Sequence, residues 1–90
     1  MLKPHNTTTF KRDLKRLAKS DKDLEKLFSV MILLGNEIPL DLKHRDHPLK
    51  GDWKGYRECH IKPNWLLIYI IEGDKITFAR TGSHSELFDN

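Results

Sequence analysis

The run Trp65 to Ile71 constrains this chain more than any other feature. Every residue in it is apolar or aromatic, and it is closed by Pro63-Asn64 on one side and Glu72-Gly73-Asp74 on the other. It is far too short to cross a membrane. A strand without polar alternation must be covered on both faces, so it belongs in the middle of a sheet. The two turn signals then fix its neighbours. Tyr56 to Lys62 and Lys75 to Thr81 are expected as strands antiparallel to it, and the three make a meander.

Upstream the period changes from two to about 3.6. Phe10, Leu14 and Leu17 fall on one face of a helix spanning Thr7 to Lys19, with Lys, Arg and Asp elsewhere. Ser20 and Asp23 have capping spacing for a second helix, whose apolar face is Leu24, Leu27, Phe28, Met31 and Leu34. Gly35-Asn36 is its stop. Met1 to Asn6 reads as an edge strand, where Pro4 is tolerated. Ile38 to Gly55 holds no period and reads as a long loop. Ser83 and Glu86 repeat the capping spacing, so a helical turn is expected over Ser85 to Phe88. The fold class is therefore α+β in two layers, ordered β-α-α-β-β-β with a short C-terminal helical turn. The helical hairpin packs on a mainly antiparallel sheet. Residues 1–90 are read as a single domain, and a chain this short buries only roughly 60–68% of its unfolded surface.

Charge narrows the partners. The net charge is +3 and the sequence pI about 9.1, with 32% charged residues, which favours nucleic acid, an acidic protein or an anionic surface. One cysteine, Cys59, excludes an internal disulfide. The first residues lack the basic-then-apolar pattern of a secretory signal. A soluble cytoplasmic protein with no membrane association is expected.

The meander gathers polar residues at one rim. The strand ending near His60 and the strand starting at Trp65 meet there, and the third strand climbs back to Gly82 and His84. The outer strands of three lie about 9–10 Å apart, so side chains from both can reach one phosphate. Glu58 shares a face with His60 by alternation. Arg80 lies just below the rim in a register the sequence leaves open, and His47 can fold over it from the loop. Metal-free RNA cleavage needs a base for the 2′-hydroxyl, an acid for the leaving 5′-oxygen and a cation for the crowded phosphate. Histidine suits both proton roles and arginine the third. Trp65 and Phe88 offer rings for base stacking.

Four ordered segments carry a resemblance. They are Asp46 to Gly51 (DHPLKG), Trp53 to His60 (WKGYRECH), Trp65 to Tyr69 (WLLIY) and Arg80 to Phe88 (RTGSHSELF). Together they resemble YafQ-type toxins of the RelE/ParE superfamily over nearly the whole chain. The resemblance implies a RelE-like fold and a bacterial type II toxin. Such a toxin cleaves mRNA in the ribosomal 30S A site, against ribosomal RNA, and is held inactive by a cognate antitoxin. It matches His47, His60, Arg80, His84 and Phe88 to catalytic positions. Trp65, Asn64, Lys50 and Glu58 are expected at the substrate, and Lys11, Arg12, Lys15 and Arg16 at the ribosome. Asn64 stands where the family usually has an acidic residue. An amide cannot act as a base at neutral pH, so the weight shifts to a histidine with Glu58 in reserve.

Two other readings fit parts of the pattern. A ParE-like inhibitor of DNA gyrase would share the fold without chemistry, and a plain antitoxin-dependent nucleic-acid-binding module would share the charge. Neither needs an acid, a base and an arginine at one rim. His44 and His47 have ligand-like spacing, but no second cysteine completes a zinc pattern. No metal or other cofactor is expected.

Overall fold

The computed structural model describes residues 1–88. The strands are β1 (Lys3–Asn6), β2 (His47–Pro48), β3 (Arg57–Lys62), β4 (Trp65–Glu72) and β5 (Lys75–Gly82). The helices are α1 (Thr8–Ala18), α2 (Leu24–Gly35) and α3 (His84–Phe88). The five strands form one sheet in the order β1-β5-β4-β3-β2, so the apolar run does occupy the centre. β1 lies parallel to β5, and every other pair is antiparallel. The sheet thus brings the N-terminal segment onto the last strand.

The stretch 38–55 is not the structureless loop its composition suggested. It contains 3-10 turns at Leu42–His44 and Gly51–Trp53, with the two-residue β2 between them. β2 pairs His47 with Glu58 and Pro48 with Arg57, which covers the start of the outer edge of β3 and leaves its end open. A strand this short, ending in proline, leaves no periodic signal to read.

The helix caps follow from side chains that compete for backbone groups. Thr7 accepts from the Phe10 N–H at 3.0 Å and starts α1. Asp23, not Ser20, caps α2 by accepting from the Glu25 N–H. Ser20 instead donates to the Leu17 carbonyl at 2.7 Å and finishes α1. Leu27, Val30 and Leu34 are the buried face of α2, while Phe28, expected inward, is 42% exposed.

Both faces of β4 are covered, but by different layers. Trp65, Leu67 and Tyr69 join Phe10, Leu17, Leu27, Val30 and Phe78 in the core under the helices. Leu66 and Ile68 point to the other face and pack with Ala79 and Leu87 beneath Leu49, Trp53, Tyr56 and Phe88. The segment around Trp53 and the short α3 therefore act as a partial third layer.

One buried charge joins helix to sheet. Asp13 is 1% exposed and sits on the apolar stripe of α1. β1 covers β5 only as far as Phe78. Beyond that point Asp13 accepts from the Thr81 N–H at 3.1 Å, and Arg16 donates to the Thr81 carbonyl at 3.0 Å. The side chains of α1 so replace a missing strand neighbour. Asp13 also pairs with Arg16 at 2.7 Å and with Arg80 Nε at 2.8 Å. Burial alone pushes its carboxyl pKa up, but the hydrogen bonds from Arg80, Arg16 and the Thr81 N–H outweigh burial and hold it below the ordinary value.

Replacing Asp13 with Ala strands two guanidinium groups and a backbone N–H, and the loss of stability is expected to be about 3 kcal/mol by urea denaturation. The sign of the pH effect follows from the lowered pKa. The contribution is present above the unfolded value of about 3.9 and fades as pH falls through the folded one. The urea midpoint of the parent chain should therefore drop between pH 5 and pH 2 by more than that of Asp13→Asn. Equal drops would remove Asp13 from the account.

Candidate active site

The strand registers place the candidate residues in two neighbouring rows on one face. The first row runs His47, Glu58, Ile68, Arg80 across β2, β3, β4 and β5. The second runs His60, Leu66, Gly82, with His84 beginning α3 just beyond. Residues two apart on a strand share a face, which is why Glu58 and His60 head adjacent rows.

Arg80 reaches this face because of an irregularity. The pairing of β4 with β5 shifts between Ile68 and Tyr69, and Ala79 is the extra residue. Without that bulge Arg80 would stand opposite Leu67, whose side chain lies under the helices. With it, Arg80 stands opposite Ile68 on the same face as Glu58 and His60. Its ion-pair partner is Asp13 rather than Glu58. The Asp13 hydrogen bond raises the Arg80 pKa against the opposing effect of burial, so the guanidinium is a permanent charge here.

His47 is held at both ring nitrogens. Nε2 lies 3.0 Å from Glu58 Oε2, and Nδ1 lies 2.6 Å from the Arg45 carbonyl oxygen. Both contacts become hydrogen bonds at once only when each nitrogen carries a proton. Glu58 is buried, and its other oxygen, Oε1, has no protein partner among the described residues. The His47 and His60 rings are 6.3 Å apart. The His60 backbone carbonyl is engaged by His44 Nδ1 at 2.6 Å, which ties the 3-10 turn Leu42–His44 to the end of β3. Burial lowers the His60 pKa; the Glu58 charge opposes this, and Arg45, His47 and His44 add to it.

The opposite side of the rim is built by α3. Ser83 and Glu86 make the expected capping box: the Ser83 N–H donates to Glu86 Oε1 at 2.7 Å, and the Glu86 N–H to Ser83 Oγ at 3.2 Å. The Ser83 N–H is also what holds the Glu86 carboxyl pKa below its usual range. Glu86 in turn pairs with Arg16 at 3.0 Å. Both side chains pass over Gly82, where a Cβ would lie 2.6 Å from Arg16 Nη2 and 2.9 Å from Glu86 Oε1. A side chain here would have to push this pair aside. The His84 side chain is exposed, its ring 4.8 Å from that of the half-buried Phe88. Asn64, in the turn before β4, accepts from the His84 N–H at 3.3 Å, so it orients the backbone of α3.

Not every expected residue reaches this face. Trp65 is 1% exposed and belongs to the core under the helices, where its Nε1 donates to Thr81 Oγ1 at 3.0 Å. Lys50 is exposed at the start of the Gly51–Trp53 turn, with its side chain making no cap bond. On α1, Lys11, Arg12 and Lys15 are exposed, whereas Arg16 is engaged by Asp13, Thr81 and Glu86. Asp13 went unnoticed in the sequence. Its signal was a carboxylate at i+3 between Phe10 and Leu17, on the stripe that otherwise holds apolar residues. Asp46 was also missed as a structural residue; it takes hydrogen bonds from the Tyr69 hydroxyl at 2.7 Å and from Arg57 Nε at 3.0 Å, and so anchors the segment that carries His47.

If burial sets the His60 pKa and Glu58 opposes it, an NMR titration of the ring should show a midpoint below 6.5, the ordinary value. Glu58→Gln should move it lower still. A rise on that substitution would mean that another group governs this histidine.

Comparison with known proteins converges on one family. A family model described as "Bacterial toxin of type II toxin-antitoxin system, YafQ" matches residues 2–89. The mRNA interferase toxin YafQ of Escherichia coli K12 is 44% identical over 80 residues, covering 88% of this chain and 87% of that protein. Among solved structures, a copper-bound mutant toxin from Helicobacter pylori superposes with a TM-score of 0.93 at 43% identity, covering 98% of this chain and 100% of the other. The E. coli DinJ-YafQ complex contains a chain with a TM-score of 0.90 at 40% identity, covering 98% and 99%.

Proposed function

The chain belongs to the YafQ family of toxins of bacterial type II toxin–antitoxin systems and is an mRNA interferase, and we propose that it cuts by proton transfer between histidines, on the ribosome and without a metal ion. The observation that supports this most directly is the pair of rows on one sheet face. His60 and His84 flank the strip formed by Leu66 and Gly82, and Arg80 stands in the adjacent row.

The reaction needs no more than these groups. The 2′-oxygen of the nucleotide forms a bond to phosphorus and gives its proton to a base. The bond from phosphorus to the 5′-oxygen breaks, and an acid protonates that oxygen. His60 is the better base: its lowered pKa keeps the ring neutral near pH 7. His84, exposed on the other side, is the acid. Arg80 holds the charge that gathers on the phosphate. Asp13 takes its Nε and Nη2, which leaves Nη1 for substrate. Glu58 sets the ring of His47 beside the phosphate. Phe88 supplies the stacking ring. With Trp65 inside the core, its part in this reading is to hold the start of β4 through Thr81. Asn64 aligns α3, and Lys50 contacts the RNA backbone.

The partners follow the same reading. Lys11, Arg12 and Lys15 contact ribosomal RNA, while Arg16 is retained inside the fold. A cognate antitoxin covers the site, as DinJ is found in complex with the E. coli relative. The place of action is the cytoplasm, where ribosomes work; no helix among the described residues is long and apolar enough to cross a membrane. The H. pylori relative binds copper, but the donors here do not fit such an ion: no group of three or more histidine, cysteine, aspartate or glutamate side chains is placed to hold one among the described residues. Cys59 is buried, and burial pushes its thiol pKa up to about 12.

His84→Ala separates chemistry from folding. Single-turnover cleavage of ribosome-bound mRNA should fall roughly 10²–10⁴-fold. Stability should stay within about 0.5 kcal/mol, since the side chain is exposed. Cleavage at the parental rate would take the acid role from His84. Growth arrest with intact mRNA and blocked gyrase would instead favour the inhibitor reading.

A further inference from the structure

Beside the rim, on the outer edge of the sheet, lies a cleft of about 700 Å³ that the proposed chemistry does not use. Its walls are α2, the turn Leu42–His44 with Arg45, and the end of β3. Lys26, Lys43, Arg45 and Lys62 line it together with His44 and His60, over an apolar base that includes Val30 and Ile61. The volume falls within the range of about 300–1,000 Å³ found for ligand pockets.

The charges in this cleft are not neutralised by the protein. Four cations elsewhere are paired, Lys3 with Asp74, Arg16 with Asp13 and Glu86, Arg57 with Asp46 and Arg80 with Asp13, and others such as Lys11, Arg12 and Lys15 stand exposed on α1 rather than gathered in a cleft. None of Lys26, Lys43, Arg45 or Lys62 has such a partner among the described residues. The Lys26 side chain lies against that of Lys62, and this contact, with the charges of Lys26 and Lys43, lowers the Lys62 pKa; Asp23 opposes it only in part. Asp23 is itself engaged as the cap of α2. Like charges packed together without a counterion form a site for an anion.

The backbone holds this arrangement in place. Arg45 adopts the left-handed conformation, φ 47° and ψ 45°, which is costly for a residue with a side chain. The turn it makes sends His44 to the His60 carbonyl and presents the Arg45 carbonyl to His47. The wall of the cleft is thus fastened to two residues of the candidate active site. His60 itself lines both.

We propose that this cleft binds the sugar-phosphate backbone of the mRNA strand next to the scissile phosphate, with Lys26, Lys43 and Lys62 contacting successive phosphates. The inference rests on the RNA-cleaving reading above and adds a path for the strand: from the rim at His60 over the outer edge of β3. Continuity with His60 favours the mRNA strand over ribosomal RNA, and the absence of carboxylates from the lining favours phosphates over a peptide strand pairing with the open end of β3.

The test is a Lys26→Gln/Lys43→Gln/Lys62→Gln triple variant of the full chain. The probe is a single-stranded RNA oligonucleotide blocked by 2′-O-methylation at the cut position. Binding is followed by fluorescence anisotropy across a salt titration. The slope of log K against log salt should become shallower by about 2, because each phosphate that a cation neutralises on a single strand adds about 0.7 to it. KM for programmed ribosomes should rise in parallel. A control triple, Lys3→Gln/Lys54→Gln/Lys75→Gln, removes the same charge and should leave the slope as it was. Three outcomes overturn the proposal: an unchanged slope in the cleft variant, weakened binding only to ribosomes without mRNA, or weakened binding only to the antitoxin. In each of these the parent protein still cleaves mRNA. If the parent chain itself fails to cleave, the reading beneath the proposal fails instead.

Discussion

A single carboxylate decides how the two layers of this molecule meet. Asp13 accepts hydrogen bonds from Arg16, Arg80 and the Thr81 backbone, and it does so almost fully out of contact with water. A buried charge is tolerated only when its lone pairs are taken up, and here each oxygen is engaged. The edge of β5 beyond Phe78 would otherwise present unpaired backbone groups. The same bonds point Arg80 and fix Arg16 over Gly82, so the position of α1, the edge of the sheet and the charge beside the rim depend on one residue.

Around that anchor the candidate site arises from register more than from any single motif. Two irregularities matter. The bulge at Ala79 turns Arg80 to the open face, and a second shift in register between His60 and Lys62 falls where β3 lines the cleft. The histidines are then distinguished by surroundings. His60 is half-buried, and burial disfavours its charge against the opposing effect of Glu58; His47 is clamped between a carboxylate and a carbonyl; His84 is exposed beside an aromatic ring. Three copies of one residue type acquire three environments because three different elements deliver them.

What the sequence disclosed depended on how local the signal was. The meander was legible because Trp65 to Ile71 and its two turns leave no other arrangement, and the capping box at Ser83 and Glu86 appeared as expected. The gathering of His60, Asn64 and His84 at one rim followed from that topology. Three things were hidden. The orientation of Arg80 required knowing about a bulge whose added residue, Ala79, is unremarkable in sequence. β2 was too short to carry a period. Trp65 offered a ring for stacking or for the core, and its indole N–H finds Thr81 inside the core. Asp13 was visible and passed over: among so many charged residues on α1, its place on the apolar stripe was the only clue.

The parallel pairing of β1 with β5 has a consequence for how the molecule is made. The first strand has no partner until the last one exists, for β1 comprises Lys3–Asn6 and β5 begins at Lys75. Contacts between such distant parts of a chain form late and slowly, because the loop between them must first be closed. A ribosome releases this chain from the N-terminus onward. α1 and α2 emerge early, yet the sheet edge they cover and the residues Arg80, His84 and Phe88 come at the end of synthesis. A protein that attacks translation is thus assembled so that it has no complete site while most of it is still being translated.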